Sequence, residues 1–300
     1  MLLAYVQLAL SMAFVGINIS IGKEIVAHVP VFLFSELRFL IAILILLPLL
    51  ASRGEWKTSW TREEGKVLFW QSFFGVFLFS ICMLYGVQWT SATAAGIITS
   101  TVPACIALFS FWILKEKLQV NNMFAILLSV CGIAFITFTT GGNVEQSLAS
   151  MLGNALVFLA VVSEALFTIF AKRLAGKITP FQMTAAINVI SFVLFLPFAI
   201  WEGLRFEWGS VPAGVWGLIL YYAITASVLS FFLWYKGVAK VEASKAGLFT
   251  GMMPISAALV AILFLNEIFS WMHAIGMSLV LASIVVGTMR FRQKDMTVQR

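Results

Sequence analysis

The chain reads as an all-α integral membrane protein whose ten transmembrane helices form two five-helix repeats of inverted topology. Three observations lead there: an apolar composition that no water-exposed surface tolerates, ten helix-length apolar windows, and a block of sequence that occurs twice. Of the 300 residues, 61% are hydrophobic and 11% charged, whereas a soluble domain carries about a quarter charged residues. The bilayer is therefore the solvent, and the lipid bilayer the first partner.

Crossing the hydrocarbon takes about 20 apolar residues in helix. Such windows lie near 2–22, 31–51, 67–88, 92–114, 120–140, 151–171, 181–201, 213–235, 244–265 and 271–289. They are continuous rather than alternating, which excludes a β-barrel. The first window, Leu2 to Ile21, lacks a basic flank and a small-residue cleavage site, so it reads as a retained span rather than a signal peptide.

Charge orients the windows. With the N-terminus inside, the cytoplasmic loops receive Arg53, Lys57, Arg62, Lys66, Lys115, Lys117, Lys172, Arg173, Lys177, Lys236, Lys240, Lys245 and the tail from Arg290. That is about sixteen of the 19 basic residues, leaving Lys23 and Arg205 outside and Arg38 within the second window. The expectation is a multi-pass protein of the bacterial cytoplasmic (inner) membrane with both termini cytoplasmic. The same bias explains the net charge of +6 without any nucleic-acid partner, since no basic patch is interleaved with aromatics.

Residues Gly86 to Leu118 recur about 151 positions later at Gly237 to Phe269. Without a gap, Gly86, Val87, Ala92, Ala95, Gly96, Thr99, Pro103, Ala107, Leu108, Leu114 and Glu116 face identical residues, about one position in three. A duplication places repeats at residues 1–142 (spans one to five) and 150–290 (spans six to ten), with 291–300 as a cytoplasmic tail. An odd number of spans per repeat forces the second to enter the membrane with opposite sense, and a binding site is then expected between the halves.

Ionisable groups in hydrocarbon cost a few kcal/mol at least, so each is a functional candidate. Glu164 lies mid-span in Val161-Val-Ser-Glu-Ala-Leu-Phe, where a carboxylate either binds an ammonium or proton in a cavity or pairs with a neighbouring helix. Glu36 and Arg38 are about 200° apart around a helix, so both cannot face lipid. Together they suit the two charges of a zwitterion; otherwise Arg38 snorkels to headgroups or pairs with an acid such as Glu24. Asn188 stands where Arg38 stands in the first repeat, a neutral amide in place of a charge. Asn18 and Gln88, with Gln7 and Gln71, add neutral polar contacts along the pathway. Pro103 and Pro254, at matching points, read as paired hinges or static kinks.

At the ends of the spans, Lys23 and Lys172 complement helix macrodipoles and snorkel, or gate. Glu116 and Glu267 pair with nearby bases, cap another helix or form a gate contact. The small residues Ala94 to Gly96 and Ala246-Gly247 allow close helix approach. Most aromatics belong to interfacial belts.

These features resemble the drug/metabolite transporter superfamily, in its ten-span branch of two EamA-type repeats. The resemblance rests on Ile21-Gly-Lys-Glu with Val29-Pro and Leu37-Arg-Phe-Leu, on the Gly86 to Glu116 and Gly237 to Glu267 blocks, and on Ala171-Lys-Arg-Leu. It implies a basket of ten helices around a central cavity, spans five and ten flanking it, that moves small organic metabolites, most often outward. Similar members export amino acids, including aromatic ones, or drugs.

The reading is a secondary transporter that exports a small amino acid or amino-acid-derived metabolite by alternating access, with a proton as candidate coupling ion. Within the same superfamily the alternative cargo is a metallophore or a drug. No phosphate-binding G-x-x-x-x-G-K-[ST] loop, hydrolase elbow or H-E-x-x-H motif occurs, which speaks against an enzyme. Cys82, Cys105 and Cys131 lack metal spacing and His28 and His273 are isolated, so neither metal nor cofactor is expected. The competing classes are a membrane-embedded enzyme, which calls for a polar catalytic cluster at one membrane face, and a structural membrane subunit, which calls for no buried carboxylate.

Overall fold

In lipid every backbone amide must find its partner within the segment, and apolar runs of this length do so only as helices. The computed structural model describes residues 1–55, 60–90, 92–138, 148–264 and 270–289, and among these it is all-helical with no strand. We number the helices α1 (Leu2–Val26), α2 (Val31–Ser52), α3 (Arg62–Trp89), α4 (Ala92–Thr99), α5 (Val102–Phe109), α6 (Val120–Phe138), α7 (Leu148–Leu174), α8 (Pro180–Gly203), α9 (Ala213–Val238), α10 (Ala243–Leu248), α11 (Met252–Phe264) and α12 (Trp271–Thr288). Over the described residues each apolar window falls on helix, the one near 92–114 interrupted by a turn at Ser100–Thr101. Among the described residues eight helices are long and apolar enough to cross a membrane. The window near 120–140 yields a shorter apolar helix, and that near 244–265 is split by a 3₁₀ turn, Phe249–Gly251.

Helix starts follow local chemistry. Thr61 with Glu64, Thr179 with Gln182 and Ser270 with His273 each form a reciprocal capping box, satisfying amides the first turn leaves orphaned. Pro180 opens α8, where its missing N–H costs nothing. After α5 a π-helical turn, Ser110–Leu114, ends at Lys115 in the left-handed region (φ 58°).

Two longer helices carry a π-helical stretch in their middle: Phe73–Leu78 in α3 and Ala223–Ser230 in α9. Extended upstream without a gap, the repeat register lays one upon the other. Such widened turns tilt carbonyls and side chains off the regular ladder and concentrate at functional sites.

Packing repeats as the sequence does. α3 lies on α7 as α9 lies on α1, α5 lies on α7 as α11 lies on α1, and α2 with α8 and α6 with α12 pair with their own counterparts. Exchanging the two halves maps this set onto itself. Glycine makes two of the matched crossings: Gly86 abuts Gly153 and Val157 of α7, and Gly237 abuts Ala4 and Leu8 of α1, each so closely that a Cβ would overlap its neighbour. Gly132 and Gly276 meet backbone to backbone where α6 crosses α12.

The α2/α8 pair is pinned at both ends. Glu202 near the end of α8 accepts from the Leu33 amide at 2.8 Å. Beyond α2, Glu55 accepts from Thr179 Oγ1 at 2.6 Å with its carboxylate and from Gln182 Nε2 at 2.9 Å with its carbonyl. Each helix thus offers an acceptor to the start of the other.

Candidate substrate pathway

A polar strip runs down the π-helical stretch of α9, and three first-half or repeat-crossing contacts meet it. Ser230 and Ser11 of α1 exchange hydrogen bonds, Ser11 Oγ donating to the Ser230 carbonyl at 2.8 Å and Ser230 Oγ to the Ser11 carbonyl at 3.1 Å. One turn along, Asn18 Nδ2 donates to Thr225 Oγ1 at 2.9 Å and to the Phe14 carbonyl at 2.8 Å. Between them Ser227 gathers two of the expected residues: Asn188 Nδ2 donates to its carbonyl at 2.9 Å, and Arg38 Nη1 approaches its hydroxyl at 3.4 Å. The repeat-related pair Arg38 and Asn188 therefore converges on one residue.

Arg38 is held mainly by aromatic faces. Its guanidinium carbon lies 4.2 Å from the Phe39 ring centroid and 5.6 Å from that of Tyr222, a geometry in which the ring quadrupole attracts a cation. Glu24 instead approaches His28 at 3.9 Å, and among the described residues Arg38 forms no ion pair. Most of its five donors thus lack an acceptor among the described residues. Acceptors without donors lie on the same two helices: the Asn188 Oδ1 atom and both Glu36 oxygens are buried and have no hydrogen-bond partner among the described residues. A buried polar group left so costs about 1–3 kcal/mol, more when charged, so each calls for a ligand or water.

Glu164 occupies a second locale. It lines a cavity of about 60 Å³ with Thr99, Val102, Ile133, Thr250, Met253 and Pro254. Thr99 and Thr250 are identical positions of the two repeats, so the cavity straddles the line relating the halves, and the carboxylate is contributed by α7 alone. That volume holds only a few waters.

The hinge candidates fall in first turns. Pro103 is the second residue of α5 and Pro254 the third of α11, each just after the chain has broken its ladder, at Ser100–Thr101 in one case and Phe249–Gly251 in the other. Gln88 is exposed near the end of α3, away from the strip. Glu116 caps another helix: its carboxylate accepts from the Ala243 amide at 2.8 Å and from the Ser244 amide and hydroxyl at 3.2 Å each. Lys172 caps a different helix from its own, donating to the Val238 carbonyl at 3.1 Å and to that of Val241. Glu267 and the basic tail from Arg290 lie outside the described residues.

The family model for EamA-like transporters matches residues 2–138 and again residues 151–289. The chain belongs to the EamA-like transporter family. As an EamA-like transporter of two repeats it is a multi-pass membrane protein that handles a small molecule. Its sequence is 43% identical over 293 residues to the uncharacterized transporter YetK of Bacillus subtilis (strain 168), covering 97% of this chain and 88% of that one. It is 26% identical over 284 residues to an uncharacterized transporter of Archaeoglobus fulgidus, covering 94% and 97%. The fold is similar to that of a solved crystal structure at TM-score 0.81 and 17% identity, covering 95% of this EamA-like chain and 98% of the other.

Ser11, Thr225, Ser227 and Ser230 carry the strip yet escaped sequence reasoning, because single hydroxyls are common in membrane helices and satisfy themselves on the preceding turn. The usable signal was their spacing: all three serine and threonine residues of α9 fall within the stretch that π-helix widens.

Proposed function

We propose that this chain is a secondary transporter that exports small amino acids or closely related zwitterionic metabolites across the cytoplasmic membrane by alternating access. The observation that carries the reading is Arg38: a part-buried guanidinium held by two rings, with no carboxylate partner among the described residues, beside an amide oxygen that lacks a donor among them. A substrate carboxylate would engage Arg38 in a charge-assisted pair, and its ammonium would find acceptors in Asn188 Oδ1 and Glu36. The polar strip's remaining hydroxyls and Asn18 would orient the small cargo. Gln88, exposed at a span end, would serve at most the entrance.

Ten spans, inverted repeats and cytoplasmic termini complete the proposal. The self-mapping set of helix contacts supports two units moving against each other, with α2/α8 pinned at both ends as the axis of that motion. Pro103 and Pro254, each starting a helix after a break, suit the points at which α5 and α11 swing. Glu164, in a cavity too small for an amino acid, would act where the halves part, as the proton-coupling carboxylate or as a later ammonium contact.

Counterflow of a radiolabelled amino-acid panel in proteoliposomes tests the assignment. Saturable exchange of at least one zwitterionic amino acid, abolished in Arg38→Gln, is expected. Exchange of cations or neutral solutes only, unaffected by Arg38→Gln, would overturn it. Reporter fusions to each terminus that both read cytoplasmic support the topology, and termini on opposite faces would refute it.

A further inference from the structure

Several helix ends close around a cavity of about 780 Å³ at one end of the bundle. Tyr5 comes from the first turns of α1, Gln119 from just before α6, Lys172 from the last turn of α7, Lys240 from the link after α9, Lys245 from α10 and Met289 from the C-cap of α12. The walls are tied to one another. Lys172 Nζ donates to the Val238 carbonyl at 3.1 Å and to that of Val241, the Tyr5 ring stacks on Phe249 with centroids 5.6 Å apart, and Asn121 Nδ2 reaches the Met289 carbonyl at 3.4 Å. A hollow held in this way is formed before a ligand arrives, as small-molecule sites usually are.

Three lysines against one acid, Glu242, leave the lining two positive charges in excess. Glu242 pairs with Lys245 at 2.9 Å, Lys172 spends two donors on carbonyls, and Lys240 is exposed with no ion-pair partner among the described residues. An ammonium has three donors, so each lysine keeps at least one for the oxygens of an anion. The bias that orients the chain explains lysines at this end, but not three in one hollow. Beside the hollow the same helix ends turn apolar side chains outward: Leu3 and Val6 of α1, Met123 and Phe124 of α6, and Val285 and Met289 of α12 are 45–61% exposed. A basic hollow at the level of the helix ends, bordered by surface that only acyl chains cover well, matches the polarity of an amphiphile lying in one leaflet. A free anion would use only half of it. The proposed topology turns this end to the cytoplasm, the side on which anionic lipids gather.

We infer that this cavity binds one anionic phospholipid, whose phosphate is received by Lys240, Lys245 and the remaining donor of Lys172 and whose acyl chains lie along the apolar flank. Lys172 and Val241 belong both to the cavity wall and to the closure of α9, so the bound lipid steadies the link between α9 and α10. Glu242, the acid of the lining, opposes the headgroup and sets how tightly it is held. The site stands on this cavity alone and is independent of which cargo the chain carries.

The test is native mass spectrometry of the full chain in neutral detergent, titrated with phosphatidylglycerol in mixed micelles and, in parallel, with phosphatidylcholine. The wild type should retain one phosphatidylglycerol at least about fivefold more tightly than phosphatidylcholine. Lys240→Gln should weaken phosphatidylglycerol about fivefold and leave phosphatidylcholine unchanged. Glu242→Gln removes the opposing charge and frees Lys245, and should tighten phosphatidylglycerol by a similar factor. Because damage to the fold does not tighten binding, this second variant decides the matter even if thermal unfolding in lipid-free detergent shows Lys240→Gln to be unstable. Lys177→Gln, at an exposed lysine of the same end outside the cavity, should change nothing. Equal losses in Lys177→Gln and Lys240→Gln would overturn the site in favour of general attraction to a basic face, as would equal retention of the two lipids by the wild type. Full displacement of phosphatidylglycerol by inorganic phosphate or glycerol phosphate would overturn the lipid and assign the hollow to a soluble anion.

Discussion

The π-helical stretches of α3 and α9 occupy the same place in the two repeats but carry opposite chemistry. Phe73–Leu78 presents rings: Phe77 packs on Phe195 and Phe198 with centroids at 5.3 and 5.7 Å, and Phe74 lies 6.4 Å from Phe170. Ala223–Ser230 presents hydroxyls, with Thr225, Ser227 and Ser230 where the first repeat has Phe74, Val76 and, just past its stretch, Phe79. The scaffold is duplicated, down to the glycine crossings, while the lining is not. A symmetric frame can rock between two faces with equal ease, but an asymmetric cargo needs one wall that reads charge and another that only excludes water. Arg38 against Asn188, and Glu164 on one repeat alone, follow the same rule.

The sharpest way to break that contrast is to erase it. Arg38→Asn makes the two repeats alike at their convergence on Ser227, and substrate affinity should fall about a hundredfold, since a desolvated charge-assisted pair is worth about 3 kcal/mol. Direct binding or counterflow KM measures it, with thermal unfolding in detergent as the control for folding. An affinity within about threefold of wild type would remove Arg38 from recognition.

Symmetry of the frame predicts matched losses elsewhere. Gly86→Val and Gly237→Val insert bulk at equivalent crossings, against Gly153 and Val157 in one case and Ala4 and Leu8 in the other. Overpacking of this kind costs about 1–3 kcal/mol, and the two variants should lower the unfolding temperature by similar amounts. A tolerant Gly237 beside an intolerant Gly86 would show that the halves are not mechanically equivalent.

How much of this was legible before any coordinates is uneven for physical reasons. The helices were, because a 20-residue apolar run has no other way to satisfy its amides in lipid, and the family was, because the Gly86 and Gly237 blocks preserve order and spacing together. Arg38 stood out by its cost in hydrocarbon, Asn188 by its repeat correspondence with Arg38, and Asn18 as a neutral polar residue in an apolar span. The meeting of Arg38 and Asn188 on Ser227 was not legible, since sequence gives the face of a helix but not which helix lies opposite. Capping another helix was one of the readings for Glu116, but which helix it caps was hidden for the same reason, as was the partner of Lys172: both bind backbone atoms of distant helices, which leave no mark on side-chain identity. The two prolines suggested mid-helix bends, and only the structure places the break one turn earlier, where the missing amide donor is harmless.

Glu164 tests whether the cavity between Thr99 and Thr250 belongs to the mechanism. Glu164→Gln keeps the shape and removes the charge, so turnover should fall about tenfold or more with little change in folding stability if the carboxylate couples transport or meets the cargo. Full turnover, measured by uptake with and without an imposed proton gradient, would assign the residue to structure alone.

The smallest expected effect concerns the hydroxyl strip itself and separates recognition from packing. Ser227→Val removes the hydroxyl that Arg38 approaches at 3.4 Å, a long contact worth no more than about 1 kcal/mol. KM should therefore rise by about fivefold. Its counterpart Val76→Ser adds a hydroxyl to the aromatic wall, where it can satisfy itself on the preceding turn, and should leave KM unchanged. Ser230→Ala, at the Ser11 crossing, should cost stability but not affinity, because its bonds run only to Ser11. If all three changed stability alone, the strip would be an interhelical adhesive and recognition would rest on Arg38 and Asn188 without it. If Val76→Ser raised affinity instead, the aromatic wall would be part of the recognition surface, and the division of labour between the two π-helical stretches would have to be redrawn.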